Sequence, residues 1–95
     1  MRDTDVSTTL SVRVVYLARL REALGTSGET LTLAPDAPAT VESLVAALVR
    51  RGGHWAYELA PGRAVRFAVN RQLVNRAHAI ADGDEVAIFP PVTGG

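Results

Sequence analysis

The sequence predicts a two-layer α+β domain, and three observations carry that expectation. Polar and apolar residues alternate in several short runs, apolar residues recur at helical spacing in one longer run, and both patterns fit within a single 95-residue chain. Alternation marks a half-buried strand, whereas spacing at i, i+3, i+4 and i+7 marks one face of a helix. Each leaves an apolar surface to bury, and one helix laid on one sheet buries both. With 47% apolar and 21% charged residues, the chain has enough apolar surface to order itself.

Met1 to Thr9 are polar and aperiodic and read as a flexible lead-in, residues 1–9. From Leu10 the pattern alternates: Leu10, Val12, Val14 and Tyr16 share one face and Ser11, Arg13 and Val15 the other, a strand of about eight residues. Leu17, Leu20 and Leu24 then fall at i, i+3 and i+7, a short helix that Gly25 can end in a left-handed conformation. After the turn Thr26-Ser27-Gly28, residues Glu29 to Leu33 alternate again and can pair with the first strand. Ala34 to Ala39 form a loop whose two prolines cannot donate to a sheet.

The strongest single element follows. Thr40 can cap a helix in which Val41, Leu44, Val45, Leu48 and Val49 make the apolar stripe, with Glu42 in the first turn and Arg50-Arg51 in the last. Gly52-Gly53 ends it, and His54 to Arg63 read as an irregular connection in which Trp55 and Tyr57 pack under a loop. Val65 to Val69 make a strand, Asn70-Arg71-Gln72 a turn and Leu73-Val74 a very short strand. Asp82-Gly83-Asp84 is a strong turn signal, read as a hairpin turn, and Glu85 to Phe89 is the last strand, stopped by Pro90-Pro91. The compact arrangement that fits this order is a β-grasp: a mixed sheet of about five strands with one long and one short helix. The domain spans 10–89 and an extended tail 90–95 follows.

Composition excludes several chemistries. Ten basic and ten acidic residues cancel to a formal charge of +0, so binding driven by phosphate neutralisation, to nucleic acid or a membrane surface, is disfavoured. No cysteine means no disulfide, thiolate zinc site or cysteine nucleophile. All ten basic residues are arginine, so no lysine side chain can form an isopeptide or Schiff base. No stretch is long and apolar enough for a membrane span and the polar start is no signal peptide, so the chain reads as cytoplasmic.

Internal candidates for a site are weak. His54 and His78 lack any paired ligand spacing and read as surface histidines, and no metal site is expected. Asp82, Asp84 and Glu85 surround a glycine but lack the remaining oxygen ligands of a calcium loop. The serines lack the setting of a hydrolase nucleophile, and the glycines match no phosphate-binding fingerprint. Trp55 and Tyr57 beside Arg50-Arg51 offer a stacking surface only if they do not pack inward.

The end of the sequence is different. A strand finishes at Phe89, Pro90 and Pro91 stiffen the exit, and Gly94-Gly95 carry no bulk. Proline favours an extended backbone, and glycine permits close approach to a partner, so this tail suits insertion of a carboxylate into a narrow tunnel. A free carboxylate is a poor electrophile, but AMP transfer from ATP gives it a leaving group. A sulfur nucleophile can displace that AMP to leave a thiocarboxylate, or the adenylate can pass through a thiol to a lysine.

The run Asp82-Gly83-Asp84-Glu85-Val86-Ala87-Ile88-Phe89-Pro90-Pro91-Val92-Thr93-Gly94-Gly95 resembles the C-terminus of the molybdopterin synthase small subunits, sulfur carriers of the ubiquitin-like ThiS and MoaD family. Val12 to Glu22 and Phe67 to Val74 resemble other parts of the same family, so the likeness spans residues 10–95. The resemblance implies that Gly95 carries the adenylate and then the thiocarboxylate, while Gly94 and Thr93 thread the partners' tunnels. It implies that Phe89, Pro90, Pro91 and Val92 pack against the large synthase subunit. Sulfur would pass there to precursor Z, cyclic pyranopterin monophosphate, two charged carriers serving each product of a heterotetrameric synthase. The chain would bind no cofactor itself; an E1-like adenylyltransferase would use the ATP. The polar lead-in, Thr93 and the loop at 53–64 depart mildly from the pattern. A sulfur carrier for thiazole, cysteine or tRNA thiolation, a ubiquitin-like protein modifier, and an interaction module with an idle tail remain alternatives.

Overall fold

A computed structural model describes residues 9–34 and 38–91. The lead-in 1–8 and the tail residues Val92, Thr93, Gly94 and Gly95 lie outside the described residues. The elements run β1 (Leu10–Tyr16), α1 (Arg19–Leu24), β2 (Gly28–Leu33), α2 (Val41–Val49), α3 (Gly53–Leu59), β3 (Arg66–Val69), β4 (Gln72–Val74) and β5 (Glu85–Phe89). The strands form one mixed sheet in the order β2-β1-β5-β3-β4. β1 pairs antiparallel with β2 and parallel with β5, and β3 pairs antiparallel with both β4 and β5. The fold is a β-grasp, as the order of patterns predicts.

Strand alternation sorts the sheet into two faces. Val12, Val14 and Tyr16 of β1, Phe67 and Val69 of β3, and Val86 and Ile88 of β5 are buried and meet Val41, Leu44, Val45 and Leu48 of α2. The start of α2 is fully provided for. Thr40 and Ser43 bond reciprocally through side chain and backbone, and the N–H groups of Val41 and Glu42 donate to the carbonyls of His78 and Arg76. These are the donors a helix start leaves without internal partners.

The turn at 82–84 is not a hairpin, because β4 and β5 are not neighbours in the sheet. It docks β5 onto β1 instead. Asp82 Oδ1 accepts from Ser11 N at 2.7 Å, Gly83 N donates to Ser11 O at 2.8 Å, and Arg13 N donates to Asp84 O at 2.9 Å. From the other side, Asn70 donates to Asp84 Oδ1 and accepts from Glu85 N, both at 3.0 Å. The central strand therefore starts in a fixed register against both neighbours.

The largest departure from expectation is at 53–64, where the irregular connection is in part a helix, α3. Its inward stripe is Trp55, Glu58 and Leu59, at i, i+3 and i+4. That stripe is hard to read because one member is a carboxylate. Trp55 packs edge-on to Tyr16 with ring centroids 5.3 Å apart, but Tyr57 points outward and is 63% exposed, so the two aromatics do not pair. Arg50-Arg51 fall beyond α2 and not in its last turn, and α1 begins at Arg19 and not at Leu17. Leu17 is spent in a link, where its N–H donates to Ile88 O at 3.1 Å.

Candidate functional site

β5 is the middle strand of five, so whatever follows it leaves from the centre of the sheet edge. Its last residue, Phe89, lies opposite Arg66 in the β3–β5 ladder. Ile88, one residue earlier, lies opposite Tyr16. Phe89, Pro90 and Pro91 are half-buried at this exit. A cleft of about 270 Å³ opens beside them, lined by Arg66, Phe67, Leu73, Val74, Phe89 and Pro91. A larger groove, about 380 Å³, opens on the helix layer between α2 and the Pro61-Gly62 loop, away from the sheet face that carries Phe89.

The outward sheet face carries a continuous apolar row. Val15 pairs with Ala87, Ala87 with Ala68, and Ala68 with Leu73, so one residue from each of four strands lies along it. Leu73 is 75% exposed, far more than a leucine needs to be on a face with only packing to do. Sequence reading missed this row. Val15, Ala87 and Ala68 sit at the polar phase of the alternation, where an apolar residue was the signal available.

Two ionic clusters brace the exit end. Glu29 accepts from Tyr16 Oη at 2.8 Å and from both Nη atoms of Arg51, which also stacks on Trp55 with its guanidinium carbon 4.5 Å from the ring centroid. The Arg51 hydrogen bonds hold the Glu29 carboxyl below the usual carboxylate range. Burial, aided by Glu29, pushes the Tyr16 phenol up. Glu58 Oε1 lies 3.0 Å from Arg19 and 3.3 Å from Arg63, and these guanidiniums, Arg19 foremost, lower its carboxyl too. Each cluster joins separate segments of chain, β1, β2 and the end of α2 in one, α1, α3 and the loop before β3 in the other. They are fasteners.

His54 and His78 are exposed, the first in α3 and the second in the connection between β4 and β5. Among the described residues no group of three or more His, Cys, Asp or Glu could hold a metal. No helix among them is long and apolar enough to cross a membrane. The described part of the predicted site is thus Phe89, Pro90 and Pro91, gathered at one end of the central strand beside an open apolar face.

A mixed five-stranded β-grasp sheet whose middle strand leads into two prolines defines a ubiquitin-like small protein. The chain belongs to the ThiS family, whose model matches residues 14–95. It is 43% identical over 84 residues to the molybdopterin synthase sulfur carrier subunit of Escherichia coli strain K12, covering 88% of this chain and 99% of that one. The protein of the same name from Haemophilus influenzae is 37% identical over the same shares of each chain. Among solved structures, one from Pyrococcus furiosus described as molybdopterin converting factor, subunit 1, aligns with a TM-score of 0.72 at 30% identity, over 87% of this chain and 99% of that one. The crystal structure of SAMP1 from Haloferax volcanii aligns with a TM-score of 0.66 at 33% identity, over 90% and 99%.

Proposed function

We propose that this chain is the sulfur-carrier subunit of a molybdopterin synthase, with the Gly95 carboxylate as its reacting group. In the first step that carboxylate attacks the α-phosphate of ATP on an E1-like adenylyltransferase, giving the acyl-adenylate and releasing pyrophosphate. A sulfur nucleophile then displaces AMP, leaving a thiocarboxylate. On the large synthase subunit the thiocarboxylate sulfur attacks an electrophilic carbon of precursor Z as a carbon–oxygen bond at that carbon breaks, its electron pair leaving on the oxygen, which takes up a proton. Hydrolysis of the resulting acyl–sulfur bond returns the carboxylate and leaves the sulfur on the product. Two sulfurs make the dithiolene, so two charged carriers serve each product.

The observation that carries this reading is the exit of the central strand: Phe89 at its end, Pro90 and Pro91 directly after it and half-buried, and the Val15–Ala87–Ala68–Leu73 row beside them. Phe89, Pro90, Pro91 and Val92 dock on the partner, and Thr93 and Gly94 carry Gly95 into its tunnel. The body needs no catalytic side chain of its own; it fixes the root of the tail. The names of the relatives support the choice of molybdopterin over other sulfur pathways.

The test is direct. Intact mass spectrometry after co-expression with the adenylating enzyme is expected to show one oxygen exchanged for sulfur at Gly95. The charged form, mixed with the large subunit and precursor Z, is expected to yield molybdopterin. Undiminished molybdoenzyme activity in a host whose gene lacks the Gly94-Gly95 codons would overturn the reading. The alignment with a solved structure described as the small archaeal modifier protein 1 of Haloferax volcanii favours protein modification as the second reading. Adducts of this chain on lysines of other proteins, without sulfur at Gly95, would select it.

A further inference from the structure

We infer that Arg19, Arg63 and Arg66 form a cationic collar at the end of β5 that docks against an acidic surface on the large synthase subunit; this rests on the proposed carrier function. Three elements bring the collar together. Arg66 lies opposite Phe89 in the sheet. Arg19 opens α1 two residues after Leu17, whose N–H binds Ile88 O. Arg63 stands just before β3, in the segment that leads to Arg66, and α3 is held at the same end by Trp55 against Tyr16, the residue opposite Ile88.

The charges here do not cancel. Arg19 and Arg63 share the single carboxylate of Glu58, which is 8% exposed and cannot reach outward, while their own side chains are 55% and 37% exposed. Arg66 is exposed and has no ionic partner among the described residues. Three guanidiniums thus face one buried carboxylate, and the exposed neighbours Arg21 and Glu22 offset each other. A chain of formal charge +0 therefore concentrates cations at the end of its central strand.

The Glu58 bonds occupy only part of each guanidinium fork and leave further donors for a partner's carboxylates. Arg63 is also preset: its guanidinium carbon lies 4.5 Å from the centroid of the exposed Tyr57 ring. An arginine held flat on an aromatic ring loses less freedom when it binds, and arginine and tyrosine dominate the strong positions of protein interfaces. Complementary charge steers the encounter and fixes orientation, which matters for a carrier that must enter a tunnel end-first.

The experiment is isothermal titration of the full chain against the large synthase subunit of the same organism, at low (about 50 mM) and high (about 300 mM) salt. The variants are Arg66→Gln, and the set R19Q/E58Q/R63Q combined with R66Q, in which Glu58 is neutralised with its partners so that no buried charge is stranded. Arg71→Gln, in the β3–β4 turn at the opposite end of the sheet, is the control. The expected result is weaker low-salt binding for R66Q, a loss of about tenfold or more for the combined variant, and no change for R71Q. Wild-type affinity falls with salt and that of the combined variant barely moves. Matching melting curves show that the fold is intact; if the combined variant melts early, R66Q alone decides. Wild-type affinity and salt response in the variants would overturn the collar, as would an equal loss in R71Q. Failure of wild type to bind the large subunit would also overturn the collar. Sulfur loading of wild-type Gly95, read by mass, tests the carrier function separately.

Discussion

Arg51 grips Glu29 with both ends of its guanidinium, Nη1 to Oε2 at 2.8 Å and Nη2 to Oε1 at 2.7 Å, while Tyr16 donates to the same Oε2 at 2.8 Å. One carboxylate thereby fastens Arg51, two residues beyond α2, to the second strand and to the buried ring of the first. With Glu58 it is expected to make the fold sensitive to acid.

Both carboxyls titrate below their ordinary value of about 4.5 when folded. A depressed folded pKa contributes stability that is fully present above the unfolded pKa and is lost as pH falls through the folded one. The urea midpoint is expected to be level in mildly acidic solution and to decline below about pH 4.5. Glu29→Gln with Glu58→Gln should be less stable at neutral pH and show a shallower acid decline. An unchanged acid slope in the double variant would remove these residues from the account.

Tyr16 predicts the opposite limb. Its folded pKa is raised, so its contribution is intact below the unfolded tyrosine value of about 10 and is lost as pH rises beyond it. Denaturant melts between about pH 9 and 11 should lose stability in wild type, and less in Tyr16→Phe.

The β3–β4 turn places Asn70 at φ 49° and Arg71 at φ 73°, both in the left-handed region that a two-residue hairpin needs. Asparagine tolerates this and arginine does so poorly. Arg71→Gly is expected to stabilise the domain by about 0.5–1 kcal/mol, measured as a rise in the urea midpoint. Ala18, at φ 55° and ψ −133° in the link between β1 and α1, is strained in the same sense, and Ala18→Gly should also stabilise.

Ile88 is fully buried between the sheet and the helix layer and directly precedes Phe89. Ile88→Ala is expected to cost about 2–4 kcal/mol, and the large fall in melting temperature should come with reduced sulfur transfer near the transition only.

Leu73 separates docking from stability. Because it is 75% exposed, Leu73→Ser should change the melting temperature little. As part of the open apolar row it should raise the KM for the large subunit by several-fold, with little change in kcat, in a molybdopterin assay. A normal KM would mean that the partner does not use this face.

What the sequence determined by itself was whatever depends on near neighbours along the chain. The strand alternation from Leu10, the stripe and cap of α2 and the stop at Pro90-Pro91 are all written within a few residues of one another. The tail motif and its family likeness were legible for the same reason. Tertiary structure decided the rest, since it depends on residues far apart. α3 escaped because its inward stripe includes Glu58, a carboxylate buried only because Arg19 and Arg63 arrive from other elements. The turn at 82–84 looked like a hairpin because no local pattern tells a chain which strand it will meet; its partner, Ser11, is 71 positions away. The apolar row and the collar of arginines exist only once register sets Val15 beside Ala87 and Arg66 beside Phe89, and register is fixed by the whole sheet at once.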